Sequence, residues 1–305
     1  MKYNFVIKIT KDIVYFILRY INVTIPKKCS IRSKHNSIHT KSFNIPIIAG
    51  YGLANIKNHE PWLDDILEKL ILFPLDNNRE YSFFDIGANI GQTLLKVKAI
   101  SEKIHYIGFE PNPACIYYIN NLIAANPSTI SSNNTSIVPI GLSSESAILP
   151  LFFNNDSMGS GASIYKEKDN RKLVPLMPLE SLNATLEYPD IKIIKIDIEL
   201  AELDAFEALQ NTISVYEPFI LIEVLPVYSE KNLFRIRSQN KLLKLIKELN
   251  YKMFRIIKCK KNKLSYLQSI EDFGIHDDLR LCDYILCPSS RLSQFCTEFS
   301  VDLDQ

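Results

Sequence analysis

The residues best suited to chemistry lie in three short stretches. Between Phe83 and Thr93 the chain reads FFDIGANIGQT, with Asp85 two places before Gly87 and with Gly91 four places after it. Glu110 ends the run KIHYIGFE, 25 positions after Asp85. IDIELAE brings Asp197, Glu199 and Glu202 close together. An apolar run, a glycine loop and a helix-like stretch is how α/β proteins admit a nucleotide. A dinucleotide site wants G-x-G-x-x-G, so that backbone approaches a pyrophosphate at a helix N-terminus. The spacing here is G-x-x-x-G, with Asn89 in a middle position, and the G-K-[ST] of a P-loop is absent. Asp85 beside a ligand would repel phosphate and welcome a cationic group. The loop therefore suits a nucleoside better than a diphosphate. An acid at the spacing of Glu110 accepts hydrogen bonds from ribose hydroxyls in nucleoside-binding α/β folds. The competing role, a cap for the next helix, suits Asn112 better. The three acids of IDIELAE offer a base, hydrogen-bond acceptors or metal ligands. Crowded carboxylates raise one another's pKa, but Glu199 and Glu202 also fit the first turn of a helix, where acids favour the dipole. With no histidine or further oxygen ligand nearby, no metal is expected.

These residues need a scaffold that brings strand ends together. From residue 80 apolar runs alternate with helix-like stretches. YSFFDI, KIHYIGFE, SIVPIGL, IKIIKIDI and EPFILIEV read as successive strands, with YKMFRIIK and CDYILCP closing the series around a polar insertion. IGQTLLKVKAI, NPACIYYINNLIAAN, AELDAFEALQN and NKLLKLIKELN read as helices, and Asn112 with Pro113 form an N-terminal signature. Residues 146–178 read as short strands and turns. The alternation predicts a doubly wound α/β sheet with helices on both faces, whose ligands bind at the carboxyl ends of the strands.

The chain has 305 residues, 47% hydrophobic and 23% charged, which is ordinary globular composition. A net charge of +1 gives no general attraction to nucleic acid. Six scattered cysteines without zinc-finger spacing point to a reducing compartment, the cytoplasm. The first 44 residues are basic and carry one acid, Asp12. FVIKITKDIVYFILRYI has helical apolar spacing, and its uncharged stretches are too short to span a bilayer. Two readings stand: a helix packed on the domain, or a basic amphipathic helix that gives residues 1–40 weak contact with an anionic membrane at its inner face. The organisation expected is 1–44 amphipathic helix and linker, 45–80 helical leader, 81–290 Rossmann-like domain and 291–305 tail.

FDIGANIGQT, GFEPNP and KIDIELAE followed by FILIEV resemble, in order and spacing, the FkbM-family methyltransferases. PIIAGYGLANIKNHEPWLDDILEKLI resembles a leader found in many members, so the resemblance runs from about residue 45 to 288. It implies a Rossmann-like methyltransferase domain and S-adenosylmethionine as cofactor, a ligand with a sulfonium and an ammonium but no phosphate. Carried over, Asp85, Gly87, Asn89 and Gly91 wrap the methionine and ribose portions, with Ala88 and Asn112 in the same cofactor set. Glu110 holds the ribose hydroxyls, Gly141 and Leu142 pass near the adenine, and Asp197 stands beside the transferred methyl group. The family's D-x-E-G-x-E is here Asp197-Ile198-Glu199-Leu200-Ala201-Glu202. Glycine at that place permits φ > 0 or close ligand approach, and Leu200 narrows both options. The family's T-L-D appears as Pro178-Leu179-Glu180.

The activity expected is O-methyl transfer to a sugar hydroxyl, in bacterial surface-glycan or natural-product biosynthesis, with Asp197 or Glu199 as base. The alternatives are a methyltransferase-like binding protein without turnover, motivated by Leu200, and an NAD(P)-dependent oxidoreductase, which the missing G-x-G-x-x-G opposes.

Overall fold

The apolar runs become strands buried along nearly their whole length, because both faces of a central parallel strand are covered by helices. The structure is a computed structural model describing residues 14, 16–18, 20–32, 38–56, 60–76, 78–154, 162–168, 170–182 and 184–302. In chain order the strands are β1 (Val23–Arg32), β2 (Ile38–Ile47), β3 (Tyr81–Ile86), β4 (His105–Phe109), β5 (Thr135–Val138), β6 (Gly141–Leu142), β7 (Ala147–Phe153), β8 (Asn170–Met177), β9 (Asp190–Ile196), β10 (Phe219–Glu223), β11 (Tyr251–Lys258), β12 (Leu264–Ile270) and β13 (Asp283–Pro288). The helices are α1 (Leu53–Ile56), α2 (Pro61–Ile71), α3 (Gln92–Ile100), α4 (Pro113–Ala124), α5 (Glu202–Ala208), α6 (Gln210–Tyr216), α7 (Leu233–Glu248) and α8 (Leu292–Phe299).

One eight-stranded sheet runs β12-β11-β13-β10-β9-β3-β4-β5. Its members from β10 to β5 are parallel. β13 is antiparallel to both β10 and β11, and β12 is an antiparallel edge. The chain leaves β3 toward β4 and β5, then returns on the other side through β9 and β10. The carboxyl ends of β3 and β9 thus flank the switch point where such sheets bind ligands. Neighbouring residues of each strand point to opposite faces. Phe83 and Ile193 pack under α2, α3, α4 and α8, while Phe84 and Ile194 pack under α5, α6 and α7. The architecture is the doubly wound sheet that the alternation predicts.

Several boundaries differ from expectation. Residues 23–32 and 38–47 form not a linker but the antiparallel pair β1–β2, in register from Val23↔Ile47 to Arg32↔Ile38. Alternation along β2 buries Phe43, Ile45 and Ile47 in the core beneath α2, α3 and α4. The amphipathic stretch before it lies largely outside the described residues; of those described, Val14, Phe16, Ile17 and Tyr20 are exposed, and Leu18 packs on the core. The run SIVPIGL divides at Pro139, which has no N–H for a ladder. Gly141–Leu142 consequently open a second sheet, β6-β8-β7. The polar insertion before CDYILCP contains the edge strand β12. The supposed tail is α8, whose Phe295 and Phe299 are buried; residues 303–305 lie outside the described set.

Candidate functional site

A cavity opens at the carboxyl ends of β3, β4 and β9, with β6, β7 and β8 along one side. Gly87, Ala88, Asn89, Glu110, Gly141, Leu142, Asp197 and Glu199 line it, as expected. Glu60, Lys195, Phe109, Leu151, Leu176 and Ile198 are also among its walls. The loop after β3 is held by backbone bonds: Gly87 and Ala88 donate to Phe109 O at 2.9 and 3.1 Å, and Asp197 donates to Ile86 O at 3.0 Å. Gly87 has φ +92°, and a Cβ there would sit 2.2 Å from the carbonyl oxygen of Asp197. Glycine is therefore required so that two strand-end loops can touch.

Glu110 is 7% exposed. Its Oε2 accepts the Asn89 N–H at 2.8 Å, and its Oε1 accepts the Asn112 N–H at 2.8 Å. Burial pushes its carboxyl up to about 7, against the pull of those two backbone donors. Asn112 does not line the cavity; its side chain caps α4 by accepting the Ala114 N–H. Gly91 likewise lies off the wall, at the N-terminus of α3 with Ile119 and Leu122 packed against it.

Asp85 corrects the expectation of a carboxylate beside the ligand. It is fully buried and does not line the cavity. Tyr106 OH donates to its Oδ2 at 2.5 Å, and the Lys195 ammonium lies 3.8 Å from its Oδ1. Burial pushes the Asp85 carboxyl up to about 6 even though Lys195 and Tyr106 favour its charge. Lys195 stands opposite Asp85 in the β3–β9 register and also donates to Asp197 Oδ2 at 2.7 Å.

Asp197 faces the cavity, with its side chain 40% exposed. Burial disfavours its charge, but Lys195 outweighs that and holds the carboxyl below the usual range. This reverses the expectation that crowding would raise it. Glu202 is turned away, into a small cleft beside α7. Its Oε1 accepts the Leu200 N–H at 3.0 Å at the start of α5, so here the role in the helix's first turn prevails. Local sequence reasoning did not single out Lys195, Tyr106, Glu60 or Glu223. The usable signal for Lys195 was its place as one of two charges in the apolar run IKIIKI, two residues from Asp197 and hence on the same face.

Leu200 does not narrow the cavity; its side chain lines the cleft beside α7. It nevertheless keeps the glycine-like backbone, at φ +74°. A left-handed non-glycine residue costs roughly 1–2 kcal/mol. Leu200→Gly is therefore expected to be more stable than Leu200→Ala by about 1 kcal/mol. At ordinary helix or strand positions the order is the opposite. Urea denaturation of the two variants measures this, and equal midpoints would show that the position carries no backbone strain.

The donor set decides which nucleotide fits. Among the described residues, four carboxylates, from Glu60, Glu110, Asp197 and Glu199, line the cavity with one lysine that is already paired. A phosphate 4 Å from one carboxylate meets about 4 kcal/mol of repulsion at an effective dielectric constant of 20. A ligand bearing a sulfonium and an ammonium meets attraction instead, and Phe109, Leu142 and Leu176 offer an apolar wall for a purine. The residues present thus fit S-adenosylmethionine and oppose a dinucleotide.

A family profile carries the same reading. The profile of the methyltransferase FkbM domain matches residues 85–253, just over half of the chain. Among solved structures, methyltransferase FkbM from Methylobacillus flagellatus is 17% identical at a TM-score of 0.43, over 72% of this chain and 47% of that one. This chain thus spans just under half of that protein. A precorrin-6y C5,15-methyltransferase from Geobacter metallireducens is 12% identical at a TM-score of 0.36, over 73% and 85%. Fibrillarin from Aeropyrum pernix, solved with natively bound S-adenosyl-L-methionine, is 8% identical at a TM-score of 0.40, over 88% and 100%. No protein of curated function matches the sequence.

Proposed function

Because this chain belongs to the FkbM methyltransferase family, with S-adenosylmethionine as its methyl donor, we propose that it methylates a sugar hydroxyl, in a surface glycan or a related natural product. S-adenosylmethionine supplies an electrophilic methyl group on a cationic sulfur. The chain's own residues have three tasks. Glu110, fixed by the Asn89 and Asn112 N–H groups, keeps a carboxylate where ribose hydroxyls donate. The apolar walls exclude water from the reacting centre. Asp197, ionised and fixed by Lys195, orients the acceptor hydroxyl and takes its proton; the alignment itself supplies much of the acceleration.

The observation favouring a sugar is an exposed aromatic pair beside these acids. Tyr165 and Phe234 are 47% and 64% exposed, with ring centroids 6.2 Å apart. Tyr165 follows Ser163 and Ile164 on the cavity wall, and Ser163 Oγ donates to Glu199 O at 2.9 Å. Its phenol donates to Asp204 at 2.5 Å, which fixes the ring. A pyranose presents C–H groups on its faces and hydroxyls around its rim. Rings that stack on the face, next to carboxylates that accept from the rim, suit that shape. Flat apolar contact of this kind is worth about 0.5–1.5 kcal/mol.

The test offers labelled S-adenosylmethionine with nucleotide sugars, surface glycans, amines and peptides as acceptors. Label is expected on sugar oxygen, and Phe234→Ala should raise the acceptor KM about two- to tenfold with cofactor affinity unchanged. Label on amine or peptide alone would overturn the sugar reading.

A further inference from the structure

The carboxyl end of β10 adds a group that the reaction as described does not use. Ile222 pairs with Ile196, and the next residue, Glu223, lies beside Asp197. The two side chains thus stand next to each other on the same face of neighbouring strands. Two ionised carboxylates placed side by side repel each other, a repulsion that is relieved when one of them keeps its proton. On the other side Glu223 pairs in register with Asp283 of β13, whose carboxylate forms an ion pair with Lys258 of β11. Asp197 is in turn paired with Lys195, which also faces Asp85. The charged groups acting on Glu223 are thus Asp197 from β9, Glu199 after it and Asp283 from β13, with Lys195 and Lys258 standing as the partners of the two aspartates. Each lysine answers an aspartate, and among the described residues no ion pair is formed by Glu223.

Resting on the methyltransferase reading, we propose that Glu223 is a positioning residue that acts through Asp197: it stays protonated and donates that proton to the Asp197 carboxylate. Lys195 and Glu223 then hold Asp197 from behind, and its remaining lone pairs point at the acceptor hydroxyl. The proton released by that hydroxyl goes to Asp197 and from there to solvent, so the proton of Glu223 is not consumed. If Glu223 ionised, two adjacent carboxylates would repel each other and Asp197 would swing away from its position. The physical state of Glu223 agrees: burial first, then Asp197 and Asp283, push its carboxyl up to about 9.

Infrared titration tests this without methyl donor or acceptor. The apo wild type minus Glu223→Gln difference spectrum is expected to show a protonated-carboxyl C=O band at pH 7, lost with a midpoint near pH 9. In Asp197→Asn the same band should titrate about one pH unit or more lower, because the neighbouring negative charge is gone. A glutamate protonated by burial alone would keep its midpoint in that variant. Absence of the band at pH 7, or an unmoved midpoint in Asp197→Asn, overturns the proposal and leaves methyl transfer standing. On the acceptor, Glu223→Gln retains the donor and should keep turnover above pH 9, where the wild type declines. A band behaving as described with no sugar methylation would instead sink the sugar reading alone.

Discussion

Asp197→Asn lowers methyl transfer to the acceptor by about 10²–10⁴-fold, the usual contribution of a positioned base, while S-adenosylhomocysteine still binds. Amide and carboxylate have nearly the same shape, so the loss reports charge and proton acceptance. Lys195 keeps Asp85 as a partner in the variant, 3.8 Å away, which limits collateral unfolding. Asp197 is a weak base, held ionised by Lys195 against burial, and here weakness is no handicap. A hydroxyl parts with little of its proton before attack. As the new C–O bond forms, that proton becomes strongly acidic, and any well-placed carboxylate can take it. Position therefore matters more than basicity. A depressed carboxyl also stays ionised through mildly acidic solution, so kcat should show no acid limb from this group between pH 5 and 8. Glu199→Gln is the control, because Glu199 also lines the cavity two positions on. Full turnover in both variants, on an acceptor that the wild type methylates, would leave alignment alone to carry the reaction.

The expectations that held rest on local physics. Buried strands announce themselves as unbroken apolar runs, and a parallel sheet fixes where such runs end. The loop after β3, Glu110, Asp197 and Glu199 were therefore legible as neighbours although 112 positions separate Asp85 from Asp197. What escaped depends on register and on side-chain direction. That Asp85 sits beneath the loop, facing Lys195 rather than the ligand, follows from the pairing of β3 with β9, and no local pattern encodes that pairing. Glu223 becomes a neighbour of Asp197 only through the β9–β10 ladder. The antiparallel pair β1–β2 was hidden for a related reason. Its apolar residues fall on one face, and the helices that cover it come from the distant domain. Leu200 shows the reverse. The sequence raised the question of a positive φ, and the backbone adopts one without the glycine.

Glu110→Ala removes the ribose acceptor and should weaken S-adenosylhomocysteine by about 1.5–3 kcal/mol, tenfold to more than a hundredfold. In the free protein both oxygens of Glu110 already accept backbone N–H groups. Each oxygen has a second lone pair, so the ribose hydroxyls add to these bonds rather than displace them. The Ala variant also frees the Asn89 and Asn112 donors, and Glu110→Gln separates the two effects by keeping the side chain's bulk. The charge state gives an independent check. Burial moves the Glu110 carboxyl from 4.5 to about 7. Between those values the folded protein retains a proton that the unfolded chain has released, so this group makes stability fall as pH rises from about 4.5 to 7. Glu110→Gln should flatten that part of the stability curve. Hydroxyl donors prefer the ionised carboxylate, so ligand affinity should move the other way, rising by up to about tenfold between pH 6 and 8. Titration calorimetry at the two pH values reads this directly. Wild-type affinity in Glu110→Ala would remove Glu110 from the cofactor site, and no binding by the wild type at either pH would undo the assignment of the cavity itself.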